Sequence, residues 1–172
     1  VAQTIVVCRL RTVLELGRPQ KTMACPTANL LYSYFFGQSP GRGSGAEMIV
    51  GTGVDLAEVP RIRAAIERYG RRFVERIYTP AEIAYVERKA NRYERFAARF
   101  AAKEAGMKAI GTGWRRGVRW QDFEVANLPS GKPTLRFHGQ AARFAEALGV
   151  KSVALSLTHT AELGMAHVIL ES

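Results

Sequence analysis

Soft metal ligands are scarce in this chain: its 172 residues include two cysteines, Cys8 and Cys25, and three histidines, His138, His159 and His167. No Cys-x-x-Cys occurs, and the cysteines lie far from the histidines. Zinc therefore has no ligand set, and any metal chemistry must rest on oxygen donors, which favours Mg²⁺. Two thiols without a second pair form no disulfide framework, as expected of a reducing, cytoplasmic setting. Long apolar runs are also missing, and no stretch approaches the roughly 18 to 20 residues that a spanning helix needs, so no membrane partner is expected. Acidic residues are in deficit, 15 against 25 Lys and Arg, and the net charge is +10. That balance attracts phosphates, nucleic acid, anionic lipid or acidic protein without choosing among them. Two motif absences narrow the chemistry further. Ser156 stands in no Gly-x-Ser-x-Gly elbow, which excludes a serine hydrolase, and Ser130-Gly131-Lys132-Pro133 lacks the G-x-x-x-x-G-K-[ST] pattern of a P-loop.

What is present describes a globular protein, with 47% hydrophobic and 23% charged residues. Residues 1–47 mix short apolar runs with breakers and end in a Gly/Ser/Pro linker from Gly37 to Gly45. They carry five basic residues (Arg9, Arg11, Arg18, Lys21, Arg42) against two acids (Glu15, Glu47). We read them as a basic, unstructured extension upstream of Met48, a second possible start. Residues 48–172 have the length of one ordinary domain.

Within that domain, Ile49 to Leu56 alternates as a strand, with Gly51, Gly53 and Asp55 on one side. Glycines there allow another backbone or a ligand to come close. Helical spacing follows from about Pro60 to Tyr69, with a further helical turn through Phe73 and Ile77. Thr79-Pro80-Ala81-Glu82 combines a capping box with proline at the first helical position and starts a helix to about Lys89. The longest helix is predicted from Tyr93 to Ile110, ending at Gly111-Thr112-Gly113. Strands at Asp122 to Val125 and Thr134 to Phe137, a helix from Gln140 to Leu148, and strands at Val153 to Thr158 and Met165 to Leu170 complete the chain. The order implies an α+β fold, a mainly antiparallel sheet with a long central helix and shorter flanking helices.

Glu104 carries the most information, because Phe96, Phe100 and Glu104 fall on one stripe of the long helix and a carboxylate there needs a partner. An ion pair with Lys108 or Lys103 is the bland solution. Asp55, at the end of a strand behind a Gly-x-Gly, offers another: two oxygen ligands, completed by water and a substrate phosphate, make a Mg²⁺ site. Arg61, Arg63, Arg95, Arg99, Lys103 and Lys108 surround these carboxylates, each by itself a solvated surface charge, together a setting for a polyphosphate. His159 reads as an exposed residue where a strand gives way to a turn, and His167 as a partly buried strand residue. The residues alone leave two further readings open. One is a basic nucleic-acid-binding domain, against which no exposed aromatic platform is evident because Phe96, Phe100 and Phe144 sit at core spacing. The other is a metal-dependent phosphohydrolase.

Three separated segments, Met48 to Ile62 (with Gly-Thr-Gly-Val-Asp55), Phe96 to Ala109 (with Ala-Ala-Lys-Glu104-Ala) and Ser156-Leu-Thr-His159-Thr160, closely resemble the holo-[acyl-carrier-protein] synthases, a 4′-phosphopantetheinyl transferase family. The resemblance implies transfer of the 4′-phosphopantetheine arm of coenzyme A to a serine of apo acyl carrier protein, with release of adenosine 3′,5′-bisphosphate. It implies that Asp55 and Glu104 hold Mg²⁺, that Lys108 neutralises the pyrophosphate and that Arg61 faces the carrier. Arg99, Lys103 and the Gly131-Lys132-Pro133 turn would lie near coenzyme A, and His159 would complete that pocket from a neighbouring subunit of a homotrimer. Asn91, beside Arg92, stands where relatives often carry a basic residue. The partners expected are coenzyme A and an acidic carrier docked on the Arg61 to Arg76 region, with no nucleic acid.

Overall fold

The structure, a computed structural model, describes residues 48–172. The expected extension, its linker and both cysteines lie outside the described residues. The elements run β1 (Ile49–Glu58), α1 (Val59–Tyr69), α2 (Arg71–Ile77), α3 (Pro80–Glu87), α4 (Arg92–Ala109), a 3₁₀ turn (Trp120–Asp122), β2 (Phe123–Asn127), β3 (Pro133–Phe137), α5 (Gly139–Ala147), β4 (Ser152–His159) and β5 (Leu163–Glu171). The expected α+β order is observed, with the antiparallel strands divided between a three-stranded sheet, β1-β5-β4, and the β2-β3 hairpin.

Alternation along the large sheet places Ala166, Val168, Leu170 and Leu155 on one buried face. Helix α4 covers that face with Ala97, Ala98, Ala101, Ala102 and Ala105, all nearly inaccessible. Such close approach needs bare backbone beneath the helix. A Cβ at Gly53 or Gly51 would overlap the carbonyl oxygen of Ala105 or Ala109, and one at Gly164 would stand 2.5 Å from the amide nitrogen of Ala98. The glycines of β1 thus admit another backbone, the first of the two uses expected of them. On its other side α4 receives the hairpin, where Phe123 and Phe137 meet edge to face at 5.7 Å.

The remaining helices brace this layer. The capping box is formed as predicted, with Thr79 N–H donating to Glu82 Oε2 at 2.8 Å and Glu82 N–H to Thr79 Oγ1 at 3.3 Å. Gly70, at φ +57°, turns the chain between α1 and α2.

Three expectations are corrected. His167 is exposed, because the register puts it opposite Val54 on the uncovered sheet face, where its Nε2 lies 3.1 Å from Thr52 Oγ1. Arg99 and Lys103 are buried rather than solvated, at 4% and 0% exposure, because they point toward α3 and the hairpin. An exposed aromatic does occur: Trp114, in the loop after α4, is 61% accessible.

Candidate active site

The close seat of α4 on β1 brings Asp55 against the last turns of the helix. Lys108 Nζ donates to Asp55 Oδ1 at 2.7 Å and to the Val54 carbonyl at 2.9 Å. Glu104 lies one turn earlier on the same helix face. Neither lysine expected to neutralise it does so, since Lys108 pairs with Asp55 and Lys103 with Glu82. Partial burial, then the charge of Asp55 and a hydrogen bond with it, raise the Glu104 carboxyl to about 7, with Lys108 and Arg61 pulling in the opposite direction. Two carboxylates here share too little positive charge.

The donor set fits a hard divalent cation. Among the described residues no three His, Cys, Asp or Glu side chains converge. Asp55 and Glu104 would leave the other coordination positions to water and substrate oxygens, which is how Mg²⁺ is commonly held. A divalent charge would also offset the burial and the Asp55 charge that raise the Glu104 carboxyl.

A second cluster lies at the N-terminal half of α4. The Arg99 guanidinium stacks over Tyr85 at 4.4 Å, and its Nη2 donates to Asn127 Oδ1 at 3.5 Å, while its buried Nε has no partner among the described residues. Asn127 Nδ2 in turn donates to the Gly131 carbonyl at 3.0 Å, which ties Arg99 to the Gly131-Lys132-Pro133 turn. Gly131 takes φ +84° there, a conformation that favours glycine. Asn91 Oδ1 accepts from Arg95 Nε at 2.8 Å, and Arg95 Nη1 reaches the Tyr85 hydroxyl at 3.4 Å. Asn91 thus orients a neighbouring cation, while Arg92 is exposed and its guanidinium lies over the Tyr93 ring at 4.8 Å. A buried guanidinium nitrogen without an acceptor, set among cations, suits an anionic ligand.

Lys103 is closed off from both clusters. Its ammonium meets Glu82 Oε2 at 2.8 Å, the Trp120 carbonyl at 3.2 Å and the Phe123 carbonyl, and Glu82 Oε1 also accepts from Val125 N–H at 3.1 Å. Glu82 had been legible only as a cap. The spacing of Phe96, Lys103 and Met107 along one helix face was the signal that Lys103 points inward. His159 is exposed at the end of β4 opposite Gly164, whereas Asp55 stands opposite Ala166 and, through it, Leu157. The intervening strand β5 and a further two residues of register separate them, so His159 does not stand against the carboxylates within one chain. Arg61 is exposed on the first turn of α1, near enough to act on Glu104 electrostatically.

Residues 51–163 match the 4′-phosphopantetheinyl transferase superfamily. The chain belongs to that superfamily. A holo-[acyl-carrier-protein] synthase of Solibacter usitatus (strain Ellin6076) is 80% identical over 125 residues, covering 73% of this chain and all of that protein. The crystal structure of the holo-[acyl-carrier-protein] synthase from Neisseria meningitidis superposes with a TM-score of 0.66 at 34% identity, covering 73% of this chain and 100% of that one. A holo-(acyl-carrier-protein) synthase from Bacillus anthracis str. Ames, in complex with CoA (3′,5′-ADP), gives a TM-score of 0.59 at 38% identity, covering 73% and 98% of the two chains. These proteins share the α+β fold described above, and the matched range 51–163 spans Asp55, Glu104 and Lys108.

Proposed function

We propose that this chain is a Mg²⁺-dependent holo-[acyl-carrier-protein] synthase, transferring the 4′-phosphopantetheine arm of coenzyme A to a serine of apo acyl carrier protein. The observation that carries the mechanism is the Asp55, Glu104 and Lys108 centre: two carboxylates against one lysine, with Glu104 left without an ion pair among the described residues. Asp55 and Glu104 would hold the Mg²⁺, which when bound supplies charge to the pyrophosphate oxygens. Lys108, anchored by Val54 and Asp55, presents its remaining ammonium hydrogen to the phosphoryl groups. Attack of the carrier serine oxygen on the β-phosphorus breaks the bond to the bridging oxygen, and adenosine 3′,5′-bisphosphate departs with the electron pair. Water or Glu104 takes the serine proton.

Arg99 and the Gly131-Lys132-Pro133 turn would receive the anionic end of coenzyme A, a reading supported by the unpartnered Nε of Arg99 among the described residues. Lys103 contributes by positioning, since it fixes the Trp120 and Phe123 backbone to the helix that carries Arg99 and Glu104. His159 reaches such a site from a neighbouring copy, which favours a homotrimer. The uncovered sheet face, with Val54, Leu56 and Met165 exposed at 49%, 60% and 38%, supports self-association. The acidic carrier docks on α1 and α2 through exposed Arg61, Arg68, Arg72 and Arg76; Arg71 is engaged by Glu75 at 2.8 Å and Glu87 at 3.5 Å. Among the described residues no helix is long and apolar enough to cross a membrane, and a cytoplasmic role in supplying carriers for acyl-chain synthesis agrees with this reading.

Incubation with coenzyme A, Mg²⁺ and apo carrier, followed by mass spectrometry, tests the proposal. The expected result is a phosphopantetheine adduct on the carrier serine with equimolar adenosine 3′,5′-bisphosphate, lost on chelation. Hydrolysis of coenzyme A without carrier modification would assign a phosphohydrolase instead.

A further inference from the structure

The loop between α4 and the 3₁₀ turn, 110–119, exposes its tryptophan despite having a fixed backbone. Gly111, Gly113 and Gly117 take positive φ, as does Arg116 at +57°, an uncommon value for a residue with a side chain. The amides of Thr112 and Gly113 both donate to the Met107 carbonyl, at 3.1 and 3.2 Å, and hold the loop to the end of the helix. The backbone is thereby committed to a shape that turns Trp114 outward, where it is the bulkiest of the exposed apolar side chains.

Trp114 rests on a stack rather than standing alone. Its ring meets Trp120 at 6.3 Å between centroids, and Trp120 stacks on Phe100 at 4.7 Å. Phe100 is one turn before Glu104 on α4, so the stack is rooted on the helix that carries Glu104. Beside it opens a pocket of about 280 Å³, lined by Trp114, Trp120, Arg119, Gln121, Glu75 and Arg76. Its shape is held from below, where Gln121 Nε2 donates to the carbonyls of Glu75 and Tyr78 at 2.5 and 3.2 Å.

The charge around the pocket is mainly positive. Arg76, Arg115 and Arg116 are exposed and make no ion pair among the described residues, and Arg119 touches Asp122 at 3.3 Å while its side chain remains 78% accessible. The one acid in the lining, Glu75, is already paired with Arg71. An exposed tryptophan ringed by arginines has the composition of a binding hot spot. Arg76 is also the last member of the basic run on α1 and α2, so the pocket adjoins that surface at the end of α2. The two indoles already touch, tilted by 38°, and leave no slot in which a nucleobase could lie between them.

We infer that the Trp114–Trp120 pocket is a second docking site for the acidic carrier protein, taking an apolar side chain of the carrier while Arg76, Arg115 and Arg116 meet the carboxylates around it. The inference rests on the reading of the chain as a carrier-modifying transferase and extends its docking surface beyond α1 and α2. It makes Trp114 a determinant of carrier affinity with no part in the chemistry.

Steady-state kinetics of the full chain, with carrier and coenzyme A varied in turn, test the site with Trp114→Ala, Arg76→Glu and the distant control Arg143→Glu. Trp114→Ala and Arg76→Glu are expected to raise the carrier KM by about 10- to 100-fold, the range for truncating an interface hot spot. The KM for coenzyme A and the melting temperature should stay at wild-type values, and the control should change nothing. An unchanged carrier KM in Trp114→Ala overturns the inference whatever Arg76→Glu does, because Arg76 also belongs to the α1–α2 surface. So does a rise confined to the KM for coenzyme A, which would give the pocket to the nucleotide. If the wild-type chain transfers nothing, the functional reading fails separately, and titration of tryptophan fluorescence with apo carrier decides the docking site. Saturable quenching lost in Trp114→Ala supports it, whereas no quenching, or equal quenching by single-stranded DNA, overturns it.

Discussion

Helix α4 carries two lysine–carboxylate pairs of nearly equal length and opposite meaning. Lys103 meets Glu82 at 2.8 Å and Lys108 meets Asp55 at 2.7 Å. Around the first, every polar atom is accounted for: Glu82 accepts from Thr79, Val125 and Lys103, and Lys103 also donates to two backbone carbonyls. Around the second there is a surplus, a further carboxylate at Glu104 whose proton is held by burial and by Asp55. Side-chain exposure follows the same division, 0% for both members of the closed pair and 47% for Lys108. Distance alone does not separate a structural ion pair from a functional one. Completeness of the surrounding hydrogen bonds does, because a closed network has nothing left to offer a ligand.

Breaking the open centre should have the largest effect. Asp55→Ala and Glu104→Ala are each expected to lower transfer by more than about a thousandfold, since a lost metal site removes more charge than one lost hydrogen-bond donor. Circular dichroism should remain that of the wild type, and near wild-type turnover at saturating Mg²⁺ would remove these residues from the metal site. Breaking the closed pair should instead cost the fold. Lys103→Met leaves Glu82 buried without its cation and is expected to destabilise by about 3–5 kcal/mol, measured by urea denaturation. Glu82→Gln combined with Lys103→Met should recover part of that loss, because the uncompensated charge is gone.

Lys108→Ala occupies the middle ground, with kcat expected to fall about 100- to 1,000-fold and stability little altered, because this lysine is half exposed. The smallest effect is on pH dependence. The folded carboxyl of Glu104 titrates at about 7, above an unfolded value of about 4.3. Its contribution is therefore complete below the unfolded value and is lost as pH rises through 7, because the native state binds the proton more tightly. In chelator, the melting temperature should decline between about pH 4 and 7 and level off above it; Mg²⁺ or Glu104→Gln should flatten the decline. An equal decline in Glu104→Gln would assign it to another group.

Much of this was legible without coordinates because it is local. The alternation of β1, the capping box at Thr79 and Glu82, the glycines that end α4 and the hairpin turn at Gly131 depend on neighbours a few residues away, and the structure differs from expectation there by one or two residues at element ends. The placement of Asp55 and Glu104 on facing elements was also within reach, since periods of 2 and 3.6 residues assign each to a side. What spacing could not reveal was the partner that each of the two lysines near Glu104 finds. Lys103 and Lys108 are equally basic and both close to Glu104 in sequence, and only the packing of α3 and the hairpin against α4 sends one inward to Glu82 and the other across to Asp55. The exposure of Trp114 likewise depended on a loop whose positive φ values turn it away from the core. Local chemistry determined where this chain forms strands, helices and turns. Burial, which depends on what the rest of the chain brings alongside, decided which of its charges are sealed inside and which remain available to a substrate.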